Sequence, residues 1–132
     1  MPEGFRVKAE LDEPIKLISF SVRGKIQSSA LTDQLIDAHN ITENAWTYNR
    51  LFDYRNAVGF YEYEDVKRLK GWWVSQKPVT APLRKTAIVS PDALVRARIN
   101  TFDASLFYQD DNRAFDTLDE ALDWLQATPV PT

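Results

Sequence analysis

Phe5, Val7, Ala9 and Leu11 alternate with Arg6, Lys8, Glu10 and Asp12. This period-2 pattern predicts a strand with one wet face. Glu13-Pro14 interrupts it, and Ile15 to Arg23 continues as a second strand with Ile18, Phe20 and Val22 turned inward. The short break makes the pair a hairpin, and Leu17 next to Ile18 shifts the phase in the manner of a bulge. Gly24 ends that strand. The spacing then changes: Leu31, Leu35 and Ala38 recur at helical intervals, so a helix runs to about Asn40 with Ser28 or Ser29 as its cap.

Trp46 to Tyr54 is dense in aromatic side chains and predicts a third strand. Tyr61 to about Gln76 predicts a helix on which Val66, Leu69 and Trp73 share one face, with Trp72 turned about 100° away. Lys77 to Pro82 is a loop, and Thr86 to Val89 is a short apolar run of the kind covered on both faces of a sheet. Pro91, with Ser90 as cap, opens a helix running from about Asp92 to Tyr108. Asp110-Asp111-Asn112 is a turn and Arg113 to Asp116 a short strand. Thr117-Leu118-Asp119-Glu120 is a capping-box sequence for a last helix that buries Leu118, Ala121, Leu122 and Leu125.

The predicted order is therefore ββαβαβαβα, an α/β domain with a mixed sheet of about five strands and about four helices. A chain of 132 residues suits one domain, expected over 1–128, with 129–132 as a loose tail carrying Pro129 and Pro131.

Composition narrows the chemistry. A hydrophobic content of 44% excludes a disordered chain, and the absence of Cys excludes disulfides and thiolate chemistry. Only one His is present, so a nucleophile–His arrangement would have to run through His39. That residue falls near the C-terminal end of a predicted helix, where a surface or capping cation suits the helix dipole. No Gly-rich phosphate loop, zinc pattern or complete calcium loop is present, so neither metal nor cofactor is expected. The N-terminus has no apolar core of a secretory signal, and no run reaches the ~18 apolar residues of a membrane span. A soluble cytoplasmic protein is the expectation.

The net charge of -3 conceals an asymmetry. Val66 to Pro91 holds six basic residues and no acid, whereas Asp103 to Asp123 holds seven acids against Arg113 alone. The two segments could attract each other within one fold or between two copies, or the first could present a basic face to an anionic partner. The overall charge gives no footprint for nucleic acid.

Three segments carry a family resemblance: LFDYR (Leu51 to Arg55), RKTAIVSP (Arg84 to Pro91) before a long helix, and RAFDTLDEALDWL (Arg113 to Leu125). Together with the element order, they resemble the small bacterial SpoIIAA-like family, also described as STAS/SEC14-like. The resemblance implies a mixed-sheet α/β fold and a binding or regulatory role, with protein partners for the STAS type and a small apolar or lipid-like ligand for the SEC14 type. Anti-sigma-factor antagonists of this kind carry a phosphorylatable Ser or Thr at the helix start after the third strand. Here Asp53 to Gly59 contains neither, so a phospho-switch is not carried over.

In open α/β sheets, ligands favour the crevice outside the carboxyl ends of the strands. That rule selects Arg23, Asp53, Arg55, Asn56, Ser90 and Asp92 as candidate ligand- or partner-binding residues. A second group suggests an interface. On the helix from Asp92, Val95, Ile99, Phe102 and Leu106 form one apolar stripe, while Leu94, Ala97, Thr101, Ala104 and Tyr108 form a flatter one on the other side. The flat stripe suits a homodimer contact or a neighbouring helix. Trp72, beside Arg68 and Lys70, joins these candidates as an exposed aromatic in a basic setting. The competing assignment lays its ring over the rim of the core. The sequence thus predicts a non-catalytic binding or regulatory module, acting through protein contacts as a homodimer, with ligand carriage as the alternative and an enzyme the least favoured reading.

Overall fold

The computed structural model describes residues 5–42, 44–59, 62–76, 84–94, 96–97 and 111–127. The opening hairpin joins β1 (Arg6–Asp12) to β2 (Leu17–Lys25). Its turn is closed by the Lys16 N–H donating to the Glu13 carbonyl at 3.1 Å, with Lys16 in the left-handed region at φ 51. Then follow α1 (Ser28–Asn40), a 3-10 turn (Ala45–Thr47), β3 (Asn49–Val58), α2 (Tyr63–Gln76), β4 (Lys85–Val89), β5 (Asp111–Phe115) and α3 (Leu118–Gln126). The strands form one mixed sheet in the order β1-β2-β3-β4-β5. β1 pairs antiparallel with β2, and the three remaining pairs are parallel.

Strand alternation splits the apolar residues into two layers. Ile18, Phe20 and Val22 of β2, Phe52 of β3 and Ile88 of β4 pack against Leu31 and Leu35 of α1 and Leu69 and Trp73 of α2. The residues one step away, Leu17, Leu51, Ala87 and Val89, face the other way and meet Ala121 and Leu125 of α3. Strands covered on both faces read as continuous apolar runs, which is what Thr86 to Val89 shows.

The predicted α/β mixed sheet is observed, with corrections in detail. Leu17 and Ile18 are both buried because they serve opposite layers, so no bulge separates them. The irregularity falls later: Ser21 pairs with Asp53 but Arg23 with Asn56, which leaves one extra β3 residue opposite Val22. The third strand begins at Asn49, leaving Trp46 in the 3-10 turn, and runs on to Val58 because β2 continues to Lys25 and offers it pairing partners. Neither Ser28 nor Ser29 caps α1. Gln27 occupies that position without a side-chain bond, and Ser28 Oγ instead accepts from the Glu62 N–H at 2.7 Å, just ahead of α2. Asp111 and Asn112 belong to β5 rather than to a turn, drawn into register with Lys85 and Thr86.

Three α-helices have both ends among the described residues, and Ala93, Leu94, Arg96 and Ala97 are helical where the predicted helix from Asp92 begins. Most of the predicted helix from Asp92 to Tyr108 lies outside the described residues, including Thr101, Ala104 and Tyr108 of the predicted interface stripe, while Ala97 is described and exposed. None of the described helices is long and apolar enough to cross a membrane.

Candidate functional site

The last β3–β4 pair is Asp53 with Val89, so Tyr54 to Val58 project past the carboxyl end of β4. This offset brings the predicted residues to one end of the sheet. Asp53 and Arg55, two residues apart on an extended strand, share a face. Arg55 grips Asp53 through a fork: Nε donates to Oδ1 and Nη2 to Oδ2, both at 2.9 Å, and the Arg55 backbone N–H adds a bond to Oδ1 at 3.0 Å. Burial pushes the Asp53 carboxyl up, but the Arg55 bonds outweigh it and hold the group below the usual carboxylate range. The hydrogen bond to Asp53 in turn raises the Arg55 guanidinium, with a lesser contribution from Asp119 in the first turn of α3. An acid held ionised in this way is poorly suited to proton transfer near neutral pH and well suited to a fixed charge pattern.

Beside this pair, Ser90 is buried immediately after β4, and its N–H donates to the Phe115 carbonyl at the end of β5. Its hydroxyl accepts from the Asp92 N–H at 3.2 Å, and Asp92 Oδ1 accepts from the Leu94 N–H at 2.9 Å. These are turn-forming bonds of short polar side chains to nearby backbone. Arg96 straps the same corner, donating to the Ser90 carbonyl at 2.8 Å and pairing with Asp116 at 3.5 Å. Arg23 and Asn56 are opposite each other in the β2–β3 register, both exposed. The six predicted residues therefore occur as two bonded groups, Asp53 with Arg55 and Ser90 with Asp92, flanked by the Arg23–Asn56 pair. Asp53 lies well inside β3, and Arg55 and Asn56 lie within the strand rather than beyond it, because β3 runs on past the predicted end at Tyr54.

Sequence reasoning missed a polar cluster inside the α1/α2 layer. His39 is buried, not a surface or capping residue, which corrects the assignment made from its place near the helix end. Its ring stacks on Phe20 with centroids 5.2 Å apart and meets Trp73 edge-on at 5.1 Å. Nδ1 donates to the Leu35 carbonyl at 2.6 Å. Burial, followed by the charge of Arg50, lowers its pKa to about 3, so it is neutral. Arg50 is itself fully buried, with its guanidinium 4.4 Å from the Trp73 ring centroid and Nη1 donating to the Tyr48 carbonyl at 3.3 Å. The signal for both was periodicity: His39 is four residues after Leu35, and Arg50 shares its strand face with Phe52.

Trp72 is half-buried and packs against the core, with its ring 5.9 Å from His39 and 6.2 Å from Trp73. That matches the assignment over the core rim. Lys85, in the basic segment, reaches the end of α3: its Nζ donates to the carbonyls of Trp124 at 2.7 Å and Ala127 at 3.3 Å, at the helix C-terminal end where a cation is favoured. Arg68 pairs elsewhere, with Asp33 at 2.9 Å.

A half-open pocket of about 270 Å³ lies at the opposite end of the sheet, where Ala9, Leu11 and Ile18 meet Ala38, Ile41 and Thr42. At its edge the Tyr48 hydroxyl donates to Glu13, which also pairs with Lys16 at 3.2 Å. No group of three His, Asp or Glu side chains among the described residues is placed to hold a metal.

No family model matches the sequence, and no curated protein matches it. Among solved structures, the chain matches an uncharacterized protein of the DUF3478 family from Shewanella loihica PV-4, whose fold is described as SpoIIAA-like. The TM-score is 0.61 at 17% identity, with 92% of this chain and 94% of that one covered. The fold is SpoIIAA-like. The likeness extends over nearly the whole chain, so the resemblance carried by three short segments holds at the level of architecture. In this SpoIIAA-like domain, Asp53 to Val58 are strand residues, and the next helix begins at Tyr63. The Asp53–Gly59 segment thus differs from a helix start both in its lack of Ser or Thr and in its conformation.

Proposed function

We propose that this chain is a non-catalytic binding module of STAS type that receives a protein partner on the polar rim formed by Arg23, Asp53, Arg55, Asn56, Ser90 and Asp92. The observation that carries the reading is the Asp53–Arg55 fork. It is prebuilt by three hydrogen bonds, and the Arg55 side chain remains 46% exposed. A guanidinium whose orientation is already fixed loses little conformational entropy on engaging a partner carboxylate or carbonyl. Ser90 and Asp92 direct their bonds into the adjacent turn, which makes that corner a rigid shoulder beside the fork. The alternative, carriage of an apolar ligand, draws on the pocket beside β1. At about 270 Å³ and half open, it falls just short of the ~300–1,000 Å³ that ligand sites occupy.

The test is comparative capture from the native cells by the tagged chain, its Arg55→Glu variant and an Asp123→Lys control. A partner held by the wild type and the control but lost with Arg55→Glu supports the rim. Equal recovery with all three places recognition on another surface. A co-purifying apolar ligand in native mass spectrometry would favour carriage instead.

A further inference from the structure

We propose that β1 is a self-pairing edge, and that two copies of this chain join antiparallel through it, about a two-fold axis at Ala9, into one continuous ten-stranded sheet. β1 is the outermost strand, and among the described residues no strand pairs with its outer edge. Such an edge presents a row of backbone donors and acceptors to any strand of matching pattern. Six of its seven residues are exposed.

The pattern on β1 is complementary to its own reverse. Residues directly opposite in an antiparallel pair share a face, so the two faces must match separately. With the axis at Ala9, Arg6 faces the partner's Asp12 and Lys8 faces the partner's Glu10, and each contact occurs twice. On the other face Val7 meets the partner's Leu11, and Ala9 meets the partner's Ala9. Moving the axis to Lys8 or to Glu10 sets like charges opposite at the centre. Moving it to Val7 pairs Arg6 with Lys8, moving it to Leu11 pairs Glu10 with Asp12, and a one-residue slip sets the charged face against the apolar one. Among these registers, only the axis at Ala9 matches both faces, and a two-fold contact is the commonest closed assembly.

The apolar side of the strand supports the same partner. Val7, Ala9 and Leu11 pair with Val22, Phe20 and Ile18, so they lie on the α1/α2 face. Leu11 is 49% exposed, and Ile41, at the end of α1, is 86% exposed; both line the half-open pocket. A second copy on this edge would extend the α1/α2 layer across the seam and cover that apolar surface. On the polar face, Lys8 and Glu10 are 3.2 Å apart within one chain, and pairing would turn them into a four-charge cluster across the axis.

Sedimentation and light scattering test this with charge exchange. The wild type is expected to dimerise at micromolar concentration in low salt. Lys8→Glu alone, or Glu10→Lys alone, sets two like-charge pairs across the axis and should weaken the dimer by at least ~10-fold in Kd. The double variant Lys8→Glu/Glu10→Lys restores opposite charges and should restore the dimer. Because the chain has no Cys, Ala9→Cys provides an independent reading. It should link to its own copy through a short bis-maleimide, while Asp123→Cys on α3 should not. A wild type that stays monomeric at hundreds of micromolar overturns the proposal. So does failure of the double variant to recover association, or linkage no faster at position 9 than at 123.

Discussion

His39 shows how packing sets a side chain's chemistry. The residue follows Leu35 by one helical repeat and shares its buried face, so water is excluded and the imidazolium is disfavoured. In the unfolded chain it protonates near pH ~6.5, whereas in the folded chain it does so only at about 3. Between those values the unfolded state binds more protons, so stability falls as pH drops, with a slope approaching ~1.4 kcal/mol per pH unit from this group. The carboxyls of Asp53, held by Arg55, and of Glu13, held by Tyr48 and Lys16, are also depressed, but their contributions are lost only as pH falls through and below the ordinary carboxylate range. Urea unfolding at a series of pH values from 8 to 4.5 therefore isolates the histidine. His39→Phe, which retains a ring against Phe20, should flatten the profile across that window while lowering stability at pH 8 by about 1 kcal/mol for the lost bond to Leu35. An unchanged slope would place the titration elsewhere. This environment was partly legible: spacing marks His39 and Arg50 as inward positions, but the preference of charged and polar residues for water argues the other way. Only the surrounding rings, Phe20 stacked on His39 and Trp72 and Trp73 edge-on to it, with Trp73 also against Arg50, decide the outcome.

At the scale of elements, local signals succeeded where the backbone's needs are met by nearby residues. Thr117 caps α3 as the capping box predicts: its hydroxyl accepts from the Glu120 N–H at 3.2 Å and donates to the Glu120 carboxylate at 2.9 Å. Thr117→Ala should cost about 1 kcal/mol in urea unfolding, within the usual span for a lost cap. Strand ends were less legible, because length depends on what the neighbouring strand offers. β3 continues to Val58 only because β2 reaches Lys25, and it closes with the Ile26 N–H donating to the Val58 carbonyl at 2.8 Å. Gly59 then leaves the strand at φ 99, a conformation that disfavours a side chain. A methyl there would meet Ile26 at ordinary contact distance, 3.7 Å, so conformation and not crowding sets the penalty. Gly59→Ala should accordingly destabilise by about 1–2 kcal/mol. A neutral result would mean that the turn relaxes to negative φ. The same extension bears on the candidate rim: Asp53 and Arg55 were selected as residues following a strand, whereas both lie within β3, and the fork between them depends on the strand continuing.

For the whole molecule, the decisive feature is that one set of strands supplies both apolar layers. Leu17 and Ile18 of β2, Leu51 and Phe52 of β3, and Ala87 and Ile88 of β4 are consecutive residues turned to opposite faces. Losing α3 from one face therefore exposes the strands that α1 and α2 need on the other, and the two layers should unfold together. Leu125→Ala removes a buried α3 side chain from the second layer and should cost about 2–5 kcal/mol. The informative measurement uses this substitution in a Trp124→Phe background, where the remaining tryptophans, Trp46, Trp72 and Trp73, all pack against the α1/α2 layer. If the sheet couples the layers, their fluorescence transition in urea should shift to lower denaturant together with far-UV circular dichroism, with an unchanged slope. A fluorescence midpoint that stays in place while the dichroism splits would show that α3 melts alone. Under the proposed binding role, coupling of this kind supplies a stiff platform, because the strands whose carboxyl ends form the rim are packed on both faces.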